Sequence, residues 1–177
     1  CEYTMLLARS ERALSMDSLS IARYRQVLAC DSGNTAAMSE AGSLLLRMRR
    51  YDEAMAVYQQ QADADTVSAA PMVNLSLAAM ALGHWYEAET YLRTALQRKS
   101  DHIPAHVHLG RCLLETDSTV AAAQEFATAI ALYDSSTARY RDDVAEAYAL
   151  SGWLYMQRNN GGEALHAFDR SLSLRPG

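Results

Sequence analysis

The chain has 177 residues, half of them apolar, with only three prolines; it is long enough for a substantial core and too poor in turn residues for an all-β protein. A formal net charge of −5 argues against a dedicated nucleic-acid binder or a polybasic membrane-surface protein. No apolar run approaches the ~18–20 residues of a membrane span, and no charged start followed by an apolar stretch marks an uncleaved leader.

The cations are skewed, with fifteen arginines against the single Lys99, which removes lysine-dependent chemistry almost everywhere. Cys1, Cys30 and Cys112 stand far apart without a CxxC pair. They read as small apolar residues of a reduced protein, neither a disulfide framework nor a zinc set. Unpaired thiols favour the cytoplasm. Cys1 falls in phase with the repeat described next, which suits a cut at a domain edge; a lipidated first residue of a periplasmic lipoprotein is the alternative.

Taken in chain order, apolar residues recur at steps of 3, 4 and 7, which predicts amphipathic helices rather than strands. One pair covers roughly residues 36–48 and 52–64. Gly83 in "LGHWY" (82–86) ends a helix, "RNNGGEA" (158–164) marks another break, and Pro104 behind Asp101 and His102 marks a helix start.

The phrase "RYDEAMAVY" (50–58) returns along the chain. Aligned on its small residue it gives Ser20, Ala54, Ala88, Ala122 and Ala164, spaced 34, 34, 34 and 42 residues apart. Four residues on stand Tyr24, Tyr58, Leu92, Phe126 and Phe168; seven on stand Val27, Gln61, Ala95, Ala129 and Ser171, mostly small. Twelve before stand Ala8, Gly42, Ser76, Gly110 and Gly152, all small. The chain is therefore a repeat protein. Small residues let two helices cross closely, so Gly42, Gly110 and Gly152 are expected to face Ala54, Ala122 and Ala164, with the aromatic filling the wedge beyond.

These columns resemble the tetratricopeptide repeat, with its apolar–Gly first helix and small–aromatic–small second helix. The resemblance covers essentially the whole chain as one domain of five units: 1–34, 35–68, 69–102, 103–136 and 145–177. The first unit departs from the pattern at Thr4, Glu11 and Ser20, and the family's closing proline appears once, as Pro176. The fold it implies is all-α: a right-handed superhelical array, or α-solenoid, of five helix-turn-helix repeats whose first helices line a concave groove. Eight extra residues, about 137–144, continue a helical face and are expected to extend the fifth unit's first helix by about two turns.

Nothing in the sequence reads as an active site, a metal site or a cofactor site. His106 stands four residues from His102 but occupies a column held elsewhere by Met38, Met72 and Tyr148, so it reads as a packed core histidine. The groove is the better candidate. The resemblance places Arg9, Ser43, Asn74, Leu77, His108, Arg111 and Trp153 there, with an apolar patch at Val73, Leu77, Val107, Leu150 and Trp153. In the family, an asparagine matching Asn74 holds the ligand backbone. Arg111 offers a bidentate carboxylate anchor, and Trp153 an aromatic one. Some relatives bind the C-terminal carboxylates of chaperones through groove lysines, but Met5, Ser39, Val73, Pro104 and Glu146 stand at those positions here.

The expected function is a non-catalytic scaffold that binds a peptide segment of a protein partner, without nucleic acid. The alternative is a regulatory or self-assembly arm of a larger enzyme or signalling protein. Repeat arrays need a polar terminal cap, and the chain stops at "SLSLRPG". Leu165, Phe168 and Leu172 are therefore expected to be partly uncovered. That suggests a fragment, or an end that docks on a second copy to give a homodimer.

Overall fold

The computed structural model describes residues 1–175, with the backbone alone for residues 135–137. The closing proline, Pro176, lies outside the described residues. The helices are α1 (Glu2–Ala13), α2 (Asp17–Cys30), α3 (Thr35–Arg47), α4 (Tyr51–Ala64) and α5 (Ala70–Ala81), then α6 (Trp85–Arg98), α7 (Ile103–Glu115), α8 (Thr119–Ala131), α9 (Arg141–Gln157) and α10 (Gly161–Leu174). A 3-10 helix, Ser135–Tyr140, precedes α9, and no strand occurs among the described residues. The chain is an all-α solenoid of helix-turn-helix repeats, and α3 and α4 start and stop within a residue of the spans read from periodicity. It divides into two compact units, Cys1–His84 and Trp85–Gly177. In the first, α1 packs on α2, α3 on both α2 and α4, and α5 on α3 and α4. In the second, α7 packs on α6 and α8, and α9 on α7, α8 and α10.

Each hairpin turns in the same way. Ser15, Arg49, Gly83, Asp117 and Asn159 all have positive φ, between 55° and 78°. The residue after each donates its N–H five residues back, as in His84 to the Ala79 carbonyl at 2.9 Å and Ser118 to the Leu113 carbonyl at 2.7 Å. This is the Schellman closure of a helix end. Glycine adopts it without cost at Gly83, while the four other residues accept a left-handed conformation that costs roughly 1 kcal/mol.

Inside the hairpins, Ser20, Ala54, Ala88 and Ala122 are fully buried, as are Tyr24, Tyr58, Leu92 and Phe126. The glycine column has a different partner from the one expected. A Cβ on Gly42 would collide first with the Tyr58 ring, one on Gly110 with the Phe126 ring, and one on Gly152 would sit 2.9 Å from the Phe168 ring. The aromatic therefore lies over the glycine itself, and the missing side chain seats the ring. Where alanine holds the glycine column, at Ala8, the second helix contributes a hydroxyl: Ser20 donates to the Ala8 carbonyl at 2.8 Å. Seven residues beyond the small column, Gln61 Nε2 donates to the Thr35 carbonyl at 3.2 Å and Ser171 Oγ to the Ala145 carbonyl at 2.7 Å. Both tie a second helix to the N-terminal part of its own first helix.

Two expectations change. The insertion adds less regular helix than two turns: α9 has 17 residues against 13 in α3 and α7, and the residues before it form the 3-10 helix. The cysteines are not all unpaired either. Cys1 and Cys30 form a disulfide, with their Cα atoms 6.2 Å apart, within the range a bridge spans. The cause is topological: in a helical hairpin the start of the first helix returns beside the end of the second. This pairing removes the ground for a cytoplasmic setting that unpaired thiols gave. Cys112 is buried and free, and its burial pushes the thiol up to about 12, an unreactive state.

The bridge closes the α1–α2 hairpin across 29 residues of sequence. Cys30→Ser is therefore expected to cost the first hairpin about 2–4 kcal/mol. Thermal unfolding checks this: dithiothreitol should lower the midpoint of the native chain and leave that of the variant unmoved.

Candidate functional site

In the first unit the expected site residues fall into two clusters. Arg9 grips Glu40 through Nε and Nη2, at 3.0 and 2.6 Å. Tyr24 donates its hydroxyl to the same carboxylate at 2.8 Å, and Arg12 approaches it at 3.7 Å. Burial pushes Glu40 up, but the hydrogen bonds from Arg9 and Tyr24 and the charges of Arg9 and Arg12 outweigh it and hold the carboxyl below its usual range. Burial, then the bond to Glu40, pushes the Tyr24 hydroxyl up to about 12.

The second cluster surrounds Asn74 on α5. Gln61, buried on α4, has its Nε2 committed to the Thr35 carbonyl, which turns its Oε1 toward Asn74. Asn74 Nδ2 donates to that Oε1 at 2.9 Å and to Ser39 Oγ at 3.4 Å. Both amide hydrogens are thus occupied, and the amide's remaining capacity is acceptance through Oδ1. Ser43 is exposed and Leu77 half-buried. Gln61 was passed over in the sequence as a member of a small column. Its departure from that column was the available signal, since a long amide at a position held by Val27, Ala95 and Ala129 in the other repeats requires a polar partner when buried.

In the second unit Arg111 Nη1 meets Glu146 at 3.3 Å, and Trp153 is 45% exposed. The apolar patch is smaller than expected. Val73 and Val107 are buried, at 6% and 0% exposure, because both belong to the packed side of their helices. Trp153 remains as the large exposed apolar member.

Three histidines cluster on α7 in different states. His102 accepts from the Ala105 N–H at 3.3 Å and caps the helix, with Pro104 in its first turn as expected. His106 is buried, with Nδ1 2.6 Å from Glu125 and Nε2 2.8 Å from the Ser100 carbonyl. Burial disfavours its cation, but the bonds to Glu125 and Ser100 outweigh this and raise its pKa. An imidazole facing two acceptors satisfies both only when each nitrogen carries a proton. His108 is the opposite case. Burial, then the cations of Arg111 and His102, push it down to about 4, and its buried Nδ1 has no hydrogen-bond partner among the described residues. No cluster of three potential metal ligands occurs among the described residues.

At the C-terminal end, Leu165 and Leu172 are exposed and Phe168 is half-buried with its ring over Gly152. No helix among the described residues is long and apolar enough to cross a membrane.

Family models described as tetratricopeptide repeat match residues 36–66, 79–150 and 145–177, well over half of the chain. The chain belongs to the tetratricopeptide-repeat family. Its arrays of helix pairs are protein-interaction scaffolds, and that class of function comes with the membership. Solved tetratricopeptide-repeat structures share the fold at low identity. MamA is 18% identical over 94% of this chain and 93% of its own, with a TM-score of 0.75. TTC0263 of Thermus thermophilus is 18% identical over 99% and 91%, with a TM-score of 0.76. YrrB, described as having an unusual peptide-binding site, is 20% identical over 98% and 85%, with a TM-score of 0.65. Comparison with curated protein sequences gives no match.

Proposed function

We propose that this chain is a non-catalytic scaffold that binds an extended segment of a partner protein along its first helices, in the concave groove the repeat implies. The observation that carries the reading is the Asn74 amide, fixed by Gln61 and Ser39 with its carbonyl left to accept. Such an acceptor suits a main-chain N–H, which every peptide offers, so Asn74 supplies affinity without sequence preference. Selectivity then falls to neighbours within each unit: Ser43 and Leu77 in the first, and Arg111 and Trp153 in the second, with His108 kept neutral and apolar in character. Arg9 and Arg111 already hold Glu40 and Glu146. An acidic ligand group would exchange with those carboxylates, and surface ion pairs are weak enough to permit it. The "unusual peptide-binding site" of YrrB is a property of that protein, and it supports peptide binding as a reading for this fold.

The test is selection of a random peptide library on the native chain and on an Asn74→Ala, Arg111→Ala, Trp153→Ala variant that remains helical. Enrichment on the native chain that the variant loses is the expected result. Enrichment indifferent to the three substitutions would remove the groove from consideration.

A second reading, self-assembly, is favoured by the exposure of Leu165 and Leu172, 64% and 69%. Phe168 is a poor probe for it, because its ring seats on Gly152 and a Phe168→Glu change would disturb the hairpin. Leu165→Glu with Leu172→Glu is the cleaner variant, read by the concentration dependence of molecular mass.

A further inference from the structure

Each unit has a cavity that none of the candidate groove residues lines. In the first unit, a small cavity of about 160 Å³ lies among Ile21 and Arg25 of α2, Leu45 of α3, and Glu53 and Val57 of α4. In the second unit, a cavity of about 310 Å³ lies at the same repeat register, among Ala123 and Ala127 of α8, Tyr155 of α9, and Glu163 and Ala167 of α10. The two sites correspond residue by residue along the columns of the repeat, so each substitution between them can be read.

In the first unit the cavity carries its own arginine. Arg25 lines it and meets Glu53 at 2.8 Å, and Arg50 grips the same carboxylate through Nε and Nη2 at 2.6 and 2.8 Å. In the second unit Ala127 stands where Arg25 stands, and Asn160 where Arg50 stands. Both cations are removed and the carboxylate, Glu163, is kept. Among the described residues Glu163 makes no ion pair. Ala123 in place of Ile21, and Ala167 in place of Val57, widen the space that the arginine stem would have filled. Tyr155 in place of Leu45 adds an aromatic face, against which a guanidinium packs well. The volume falls within the range of sites that hold small ligands, about 300–1,000 Å³.

We propose that this cavity receives an arginine side chain from a partner protein. The apolar stem would fill the space opened by Ala123 and Ala127, and the guanidinium would take the bidentate place on Glu163 that Arg50 takes on Glu53. An arginine fits where a lysine would not, because the lost partners on the matching carboxylate are planar, multidentate donors. Arg158 also lines the cavity and makes no ion pair among the described residues. Met48 holds its register in the first unit, and Ala56 that of His166, which also lines the cavity; the Arg158 charge opposes a basic occupant, so the bidentate bond to Glu163 and the Tyr155 face must carry the binding. The site lies wholly within α8, α9 and α10 and is independent of Asn74.

The test uses the isotope-labelled native chain titrated with N-acetyl-arginine amide and, separately, with N-acetyl-citrulline amide, its uncharged isostere, followed by amide chemical shifts. The arginine compound should shift resonances around Ala127, Tyr155 and Glu163, and the citrulline compound should bind at least about tenfold more weakly, the usual margin for a charge-assisted hydrogen bond. Glu163→Gln should reduce arginine binding to the citrulline level. Ala127→Arg should block it by restoring the internal pair. Both positions are exposed, and circular dichroism confirms that each variant folds. Equal binding of the two compounds, no shifts at this site, or binding that survives both substitutions would overturn the proposal.

Discussion

Replacing Gly110 with alanine is expected to destabilise the second unit by roughly 2 kcal/mol, a fall of about 8–16 °C in its unfolding midpoint. The new methyl would enter the volume of the Phe126 ring, and that ring is fully buried, so it has nowhere to retreat. The steric cost exceeds the gain in helix propensity, roughly 1 kcal/mol, that alanine normally brings over glycine. Gly152→Ala is the internal control. There the Cβ would sit 2.9 Å from a ring that is only half-buried, so Phe168 can shift outward and the net effect should be close to zero. Pairing Gly110→Ala with Phe126→Leu should recover part of the loss. A Gly110→Ala chain as stable as the native one would show that the aromatic does not seat on the glycine.

The second large effect is a stability optimum set by two histidines on one helix. His106 has a raised pKa, so its contribution is complete below about pH 6.5, the ordinary histidine value, and is lost as pH rises through the folded-state value. His108 is pushed down to about 4. Its contribution is complete above about pH 6.5 and is lost as pH falls toward 4, because the unfolded chain takes up a proton that the folded chain refuses. The full His108 effect is on the order of 3 kcal/mol. Denaturant titrations across pH should therefore show maximal stability near pH 6.5. His106→Gln should flatten the alkaline side, and His108→Gln should reduce the loss on the acid side. A pH profile unchanged by either substitution would contradict these environments.

Much of this architecture was legible because repetition averages out local ambiguity. Five copies of a small–large spacing, aromatic in four of them, fix the helix pairs even where single residues, such as Thr4 or Glu11, depart from the pattern. The turns were less legible. Gly83 announced a positive φ, but Ser15, Arg49 and Asp117 adopt the same conformation without a residue type that requires it. The Cys1–Cys30 bridge was hidden for another reason: spacing in sequence says little until the hairpin brings both ends together. The candidate site was legible as positions and not as chemistry. Asn74 could be named from its register, whereas the relay that orients it, from the Thr35 carbonyl through the Gln61 amide, depends on groups from three helices. Val73 and Val107 show the same limit, since register alone did not separate the packed side of a first helix from its open side.

The measurement that bears most directly on the scaffold reading is a double-mutant cycle between Asn74 and Gln61, read as affinity for a peptide selected on the native chain. Gln61 is a positioning residue that acts through Asn74, so Asn74→Ala and Gln61→Leu should each weaken binding by about tenfold, and the double variant should be no weaker than the stronger single one. Native affinity in the Asn74→Ala chain, or full additivity of the two losses, would contradict it.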